Sequence, residues 1–129
     1  MFGSTGGLGF EVAKGLVTAK GFDAKKAVVR DASSDKAAQL KEMGWELVQV
    51  KDILNDSDAL DQALAGSKVV VSTMSGNDMV ALETTVVKAA KKAGASLFVP
   101  SQFGVDYRRW GTEFPFLAGK KAVLDSSKE

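Results

Sequence analysis

The chain has 129 residues, with 17 basic and 16 acidic side chains and a formal net charge of +1. This is the length of one domain, and the balanced charge excludes the basic surface that binds nucleic acid. The absence of cysteine and histidine excludes disulfides, thiolate metal sites and the commonest general base near neutral pH.

A glycine-rich segment opens the chain directly after Met1 and Phe2. It has the GxxGxxG spacing of dinucleotide-binding turns. In such a turn Gly3 permits a sharp bend, Gly6 lets the backbone approach a pyrophosphate, and Gly9 lets the next helix pack against the sheet. The positive end of that helix would face the phosphates, whereas the alternative is a plain glycine turn. The residues predicted to bind here are Gly3, Thr5, Gly6, Gly7, Leu8 and Gly9.

Apolar strands and amphipathic helices alternate along the rest of the chain. Buried parallel strands are predicted at 27–30, 46–50, 69–72 and 96–99. Helical spacing places Leu8, Val12 and Leu16 on one face of the first helix. The fourth helix has a similar face with Met79, Leu82, Val86 and Ala89. The glycines predicted to end the helices are Gly21, Gly44, Gly66 and Gly94. The predicted N-caps are Ser33 or Ser34, Asn55 or Asp56, and Asn77 or Asp78.

Repeated strand–helix–strand units predict a doubly wound α/β fold, with a parallel sheet and helices on both faces, as in Rossmann domains. In that fold the first strand is central, but only two residues precede the glycine segment, and the chain stops at Glu129 inside a predicted helix. We therefore expect 1–129 to be a partial NAD(P)-binding domain without its substrate lobe. The short apolar runs predict no membrane insertion. We expect a cytoplasmic location, with an organelle such as a plastid as the alternative.

Arg30 stands at the predicted end of the second strand, about 20 residues after the glycine segment, where this fold contacts the adenosine ribose. A guanidinium there favours a ribose 2′-phosphate, which only NADPH carries. Lys36 can contribute to the same pocket, whereas Asp31 weakens the signal. The sequence therefore favours NADPH over NADH, and the alternative for Arg30 is a solvated cation at the strand end.

The segments 28–31, 69–73 and 98–104 resemble the isoflavone-reductase-like group of NmrA-type atypical short-chain dehydrogenases. That group includes phenylcoumaran benzylic ether and pinoresinol–lariciresinol reductases. The resemblance covers nearly the whole chain, and its most specific part is Pro-Ser-Gln-Phe-Gly at 100–104. Members of the group usually carry Glu where this chain has Gln102.

The resemblance also implies roles for individual residues. Thr73 and Met74 would line the cofactor cleft, and Ser101, Gln102 and Phe103 would border its nicotinamide end. This agrees with the rule that ligands bind at the carboxyl ends of parallel strands. The alternative for Phe103 is core packing.

The proton-transfer group of ordinary short-chain dehydrogenases is missing. Their Tyr-x-x-x-Lys pattern fails here, because Tyr107 is the only tyrosine and Gly111 stands four residues later. The resemblance implies instead a catalytic lysine near the start of the following helix, and Lys120 and Lys121 are the candidates. The Lys-x-x-Val spacing to Val123 favours Lys120 as the acid–base group. The alternative is a pair of lysines on a solvated helix face.

These features predict an NADPH-dependent reductase acting on a small aromatic or carbonyl compound. The alternative is a non-catalytic NAD(P)(H)-binding regulator or an accessory subunit of a larger assembly, because a fold alone does not decide function. A small-molecule substrate is the expected partner, with protein partners possible in an assembly and no nucleic acid.

Overall fold

The computed structural model describes residues 1–128, apart from the side chain of Tyr107, and Glu129 lies outside the described residues. Its elements follow the order α1 (Gly7–Leu16), β1 (Lys26–Val29), α2 (Asp35–Glu42), β2 (Glu46–Gln49), α3 (Ser57–Leu64), β3 (Val69–Val71), α4 (Met79–Lys92), β4 (Leu97–Val99), α5 (Tyr107–Trp110) and α6 (Pro115–Lys128). Strands and helices alternate from β1 to β4, as the sequence predicts.

The strands form two parallel pairs, β1 with β2 and β3 with β4. Phe2 joins the pairs, because it forms parallel bridges to Val28 of β1 and to Ser72 just after β3. Its amide donates to the carbonyl of Val71 at 2.8 Å, and its carbonyl accepts from the amide of Thr73 at 3.1 Å. The order across the sheet is therefore β2, β1, Phe2, β3, β4. This confirms the predicted parallel sheet, with the segment before the glycine turn at its centre.

Helices cover both faces of the sheet, as a doubly wound fold requires. Successive residues of a strand point to opposite faces. Accordingly, Val28 packs in a cluster with residues of α3 and α4, such as Leu60 and Val86. Its neighbours Ala27 and Val29 pack in a second cluster beneath α1 and α2.

Side-chain caps begin two of the helices as predicted. Ser34 caps α2 by accepting from the amide of Ala37, and Asp56 caps α3 by accepting from the amide of Ala59. Asp78 stands at the same position of α4 without such a hydrogen bond. The glycines at 44, 66 and 94 end their helices, but the prediction for Gly21 is wrong. Helix α1 ends earlier, at Leu16, and Gly21 lies in the segment that leads to β1.

Helix α1 does not bury Leu8, although helical spacing places this residue on one face with Val12 and Leu16. Leu8 is 49% exposed, and the helix buries Gly9 and Ala13 instead. A Cβ atom at Gly9 would lie only 2.0 Å from the carbonyl oxygen of Gly3. The helix backbone therefore contacts the glycine turn directly, and this contact leaves the apolar side chain of Leu8 to face a cavity.

Two further properties concern the whole of residues 1–128. No helix in this range combines the length and the apolar character needed to cross a membrane. No group of three or more acidic side chains in the same range is arranged to hold a metal ion.

Candidate functional site

Three cavities lie beside the carboxyl ends of the strands, where open α/β sheets bind ligands. The central cavity, of about 330 Å³, lies between Gly3, Val28 and Met74. The Lys120 cavity, of about 630 Å³, extends from Leu8 to Lys120. The Lys36 cavity, of about 370 Å³, is lined by Thr5, Arg30, Asp31, Ser34, Asp35 and Lys36. The central cavity shares Gly6, Thr73 and Met74 with the Lys120 cavity and Thr5 and Arg30 with the Lys36 cavity. The three therefore form one series along the sheet edge.

The glycine turn lets α1 pack closely against the end of the sheet. Gly3 has a φ of 74°, and a Cβ atom there would lie 2.7 Å from the backbone of Thr73. At Gly7, by contrast, an added Cβ meets no atom within 4 Å. Gly6 precedes α1 without a side-chain cap, and the first amides of a helix have no partner inside it. The turn thus offers free backbone amides and the positive end of a helix to the cavities, which fits a pyrophosphate.

Thr73 and Met74 line the cavities just after β3, where the resemblance places them, and both are buried. The Thr73 hydroxyl donates to the carbonyl of Phe2 at 3.0 Å. The same oxygen would lie 2.4 Å from a Cβ atom at Gly9 and 2.8 Å from one at Gly3. Thr73 therefore occupies the space that the two glycines leave open, and its hydroxyl ties the central segment to β3.

Arg30 and Lys36 bring two exposed cations to the Lys36 cavity. Within residues 1–128, neither side chain has a hydrogen bond or an ion pair, and the Lys36 ammonium lies 5.4 Å from the ring centroid of Phe10. Asp31 also lines this cavity. The hydroxyl and amide of Ser33 donate to its carboxylate at 2.6 and 2.8 Å and hold the pKa of Asp31 below its usual value. Although Asp31 and Asp35 also line the cavity, neither cation is paired with a carboxylate in residues 1–128, so both remain available to an anion.

Lys120 lies half-buried at the wall of the cavity named after it, at the start of the second turn of α6. Its ammonium donates to the carbonyl of Ser101 at 2.6 Å. The side-chain amide of Gln102 donates to the backbone carbonyl of Lys120 at 2.8 Å. The segment after β4 thus holds both the backbone and the side chain of Lys120, and the ammonium lies where a proton could be exchanged with a bound molecule.

The neighbouring Lys121 does not line the Lys120 cavity. It forms an ion pair with Asp125 on the exposed surface, one helical turn later. Adjacent residues of a helix point about 100° apart, so the two lysines cannot both face one cavity. The structure therefore places Lys120, and not Lys121, beside the predicted cofactor residues Ser101 and Phe103.

The Lys120 cavity has an apolar side. Phe103 is 46% exposed and lines it together with Leu8 and Phe116. Within residues 1–128, Phe103 therefore does not pack in the core. These exposed apolar side chains suit the binding of a flat organic molecule beside Lys120.

Sequence reasoning missed the buried carboxyl of Glu83 on α4. Glu83 is fully buried, and one of its oxygens accepts from the amide of Ser101 at 2.8 Å. Its second oxygen has no hydrogen-bond partner among the residues that the structure describes. A signal existed in the sequence, because Glu83 follows Met79 by four residues and precedes Val86 by three, and so falls on the apolar face of the helix.

Comparison with known proteins identifies the family. The model of the NmrA-like family matches residues 1–124. The chain belongs to the NmrA-like family. It is 37% identical over 118 residues to the isoflavone reductase homolog IRL of Zea mays, a match that covers 88% of this chain and 37% of that protein. The resemblance drawn from the sequence motifs is confirmed.

Two solved structures extend the likeness to the fold. The structure of AtPrR2 with NADP+ and (+)pinoresinol superposes with a TM-score of 0.79 at 28% identity, covering 98% of this chain and 44% of that one. The Citrobacter sp. triphenylmethane reductase complexed with NADP(H) gives a TM-score of 0.76 at 25% identity, with the same coverage. The NmrA-like chain described here thus spans a little over a third of the maize relative and less than half of each solved structure.

Proposed function

We propose that the three cavities together hold NADPH. The amides of Gly7 and Leu8 at the start of α1 would bind the pyrophosphate, with Gly6 leaving the backbone open to it. The adenosine would lie in the central cavity, and the nicotinamide would lie in the Lys120 cavity between Ser101 and Phe103. This proposal is supported by the cavities, because every residue predicted to bind the cofactor lines at least one of the three.

The preference for NADPH over NADH rests on the Lys36 cavity. Within residues 1–128 its two cations form no ion pair with a carboxylate, and a charged hydrogen bond from either one to a phosphate is worth about 1.5–3 kcal/mol. A ribose 2′-hydroxyl offers no charge to these groups. We therefore assign Arg30 and Lys36 to the 2′-phosphate.

We propose that the protein is an NADPH-dependent reductase of a small aromatic or carbonyl compound, with Lys120 as its acid–base residue. NADPH supplies the hydride when it is bound. Lys120 holds a proton at Nζ, and the carbonyl of Ser101 fixes the ammonium at the cavity wall. Phe103 and Phe116 offer apolar surface to the substrate. The position of Lys120 among the cofactor residues is the observation that carries this proposal.

The test introduces Lys120→Met and the matched control Lys121→Met separately into the full-length protein. NADPH oxidation is followed by absorbance with a panel of small aromatic and carbonyl compounds. Loss of a positioned proton donor lowers the rate by about 10²–10⁴-fold, so Lys120→Met should remove turnover while NADPH affinity stays nearly constant. Lys121→Met should behave as the wild type does. Turnover that survives in Lys120→Met would exclude this role, and NADPH binding without turnover of any compound would favour a regulator or accessory subunit.

A further inference from the structure

The ring of Phe10 lies beside the Lys36 cavity without lining it. Phe10 follows Gly9 on α1, and its side chain packs against the cluster beneath α1 and α2. Two ammonium groups lie over the ring, that of Lys36 at 5.4 Å and that of Lys14 at 5.9 Å from the centroid. An aromatic face attracts cations at such distances.

The two lysines differ in their ion pairs and in their position relative to the Lys36 cavity. Lys14 forms an ion pair with Glu11 at 2.8 Å and lies outside the Lys36 cavity. Lys36 lines that cavity beside Arg30, and the Phe10 ring is the contact that the structure gives its ammonium. The ring has no oxygen or nitrogen acceptor, so it does not compete strongly with a phosphate for the N–H groups of Lys36.

For anion binding in the Lys36 cavity, the position of the Lys36 ammonium matters more than the net charge of the residues that line the cavity. The cavity is lined by two cations, Arg30 and Lys36, and by two carboxylates, Asp31 and Asp35, so these charges sum to zero. A lysine side chain has a flexible stem of four carbons, and fixing it costs conformational entropy when an anion binds. A contact that places the ammonium before binding reduces that cost.

We propose that Phe10 is a positioning residue for cofactor selectivity, which holds the Lys36 ammonium at the site of the ribose 2′-phosphate. This inference rests on the proposed binding of NADPH. Phe10 acts through Lys36 and does not contact the cofactor. Its loss therefore weakens NADPH and leaves NADH unchanged, whereas a merely structural defect in α1 weakens both cofactors, since the same helix begins at the pyrophosphate turn.

The experiment measures the dissociation constants of NADPH and NADH by fluorescence titration at one ionic strength. Phe10→Leu keeps an apolar side chain of similar size and removes the ring face. Its selectivity for NADPH over NADH should fall about two- to fivefold, the range expected of an exposed cation–π contact. Phe10→Tyr should keep the selectivity of the wild type. Lys14→Met, the matched control, should also keep it, and Lys36→Met should lower it by about tenfold or more.

The double variant that combines Lys36→Met with Phe10→Leu gives the sharpest check. Once Lys36→Met is present, Phe10→Leu should change the selectivity no further, because the cation on which the ring acts is gone. An unchanged selectivity in a folded Phe10→Leu protein overturns the inference. A wild-type protein that binds both cofactors equally overturns the proposed NADPH site, and this inference with it. The two failures are therefore distinguishable.

A second measurement needs no substitution at Phe10. In the NMR spectrum of the wild-type protein, the ring current of Phe10 should shift the methylene protons next to the Lys36 ammonium upfield. These signals should move again when NADPH binds and should stay in place with NADH. Unshifted signals in the free protein, or equal responses to the two cofactors, contradict the inference.

Discussion

At Gly9 the difference between a hydrogen atom and a methyl group decides how closely α1 approaches the sheet. A Cβ atom there would lie 2.0 Å from the carbonyl oxygen of Gly3 and 2.4 Å from the Thr73 hydroxyl. Both groups are fixed, because the Gly3 carbonyl accepts from the amide of Gly6 and the Thr73 hydroxyl donates to Phe2. The turn therefore cannot adjust without losing hydrogen bonds.

We expect Gly9→Ala to lower the free energy of unfolding by about 1–3 kcal/mol, the usual cost of forcing an extra methyl group into a packed site. Gly7 provides the matched control, since an added Cβ meets no atom within 4 Å there. Gly7→Ala should leave stability unchanged or raise it, because alanine is the better helix former. Urea unfolding of both variants checks this expectation, and equal effects would show that close packing does not explain Gly9.

At the scale of whole elements, the segment after β4 connects α4 with α6. The amide of Ser101 donates to Glu83 on α4, and its carbonyl accepts from Lys120 on α6. Gln102 adds a hydrogen bond to the Lys120 backbone. The group that this sequence resembles usually has a glutamate at position 102, and an ionised carboxylate has no N–H group to donate to the Lys120 carbonyl. Two consecutive residues thus set the place of Lys120 relative to the sheet.

We expect substitutions of Glu83 to separate its hydrogen bond from its charge. Glu83→Gln keeps an acceptor for the Ser101 amide and should leave the free energy of unfolding about the same or higher. Glu83→Ala leaves that buried amide without a partner and opens a cavity, at a cost of about 2–4 kcal/mol. Chemical denaturation compares the two variants. Equal losses would mean that the carboxylate charge itself stabilises the fold.

The sequence predicts elements better than it predicts contacts between them. The spacing of Gly3, Gly6 and Gly9 locates the phosphate turn, because that geometry is local to one strand–helix junction. The contacts of Glu83 with Ser101 and of Phe10 with Lys36 join residues 18 and 26 positions apart. Which residues meet in these contacts depends on how the helices pack against the sheet, and the hydrophobic periodicity of the sequence does not encode that packing.

Leu8 shows where the helical-face rule fails. Apolar spacing groups Leu8 with Val12 and Leu16, but the N-terminus of α1 opens onto a cavity, and the side chain of Leu8 lines that cavity without being buried. The exposed Phe103 belongs to the same class. Large apolar side chains are usually buried, whereas these two line the apolar side of a cavity.

For the molecule as a whole, the order β2, β1, Phe2, β3, β4 brings the glycine turn, Arg30 and Lys120 to one edge of the sheet. Membership of the NmrA-like family and the superposition on NADP-bound reductases agree with this arrangement. The central claim is that this edge binds NADPH through a cavity that recognises the ribose 2′-phosphate.

The most direct test titrates NADPH and NADH against the wild-type protein and Arg30→Glu, and compares the ratio of their dissociation constants. The wild type should bind NADPH more tightly by about tenfold or more, since one charged hydrogen bond is worth about 1.5–3 kcal/mol. Arg30→Glu removes one cation, adds a repelling carboxylate and should abolish that preference while NADH affinity changes little. Equal affinities in the wild type, or equal losses for both cofactors in Arg30→Glu, would contradict the claim.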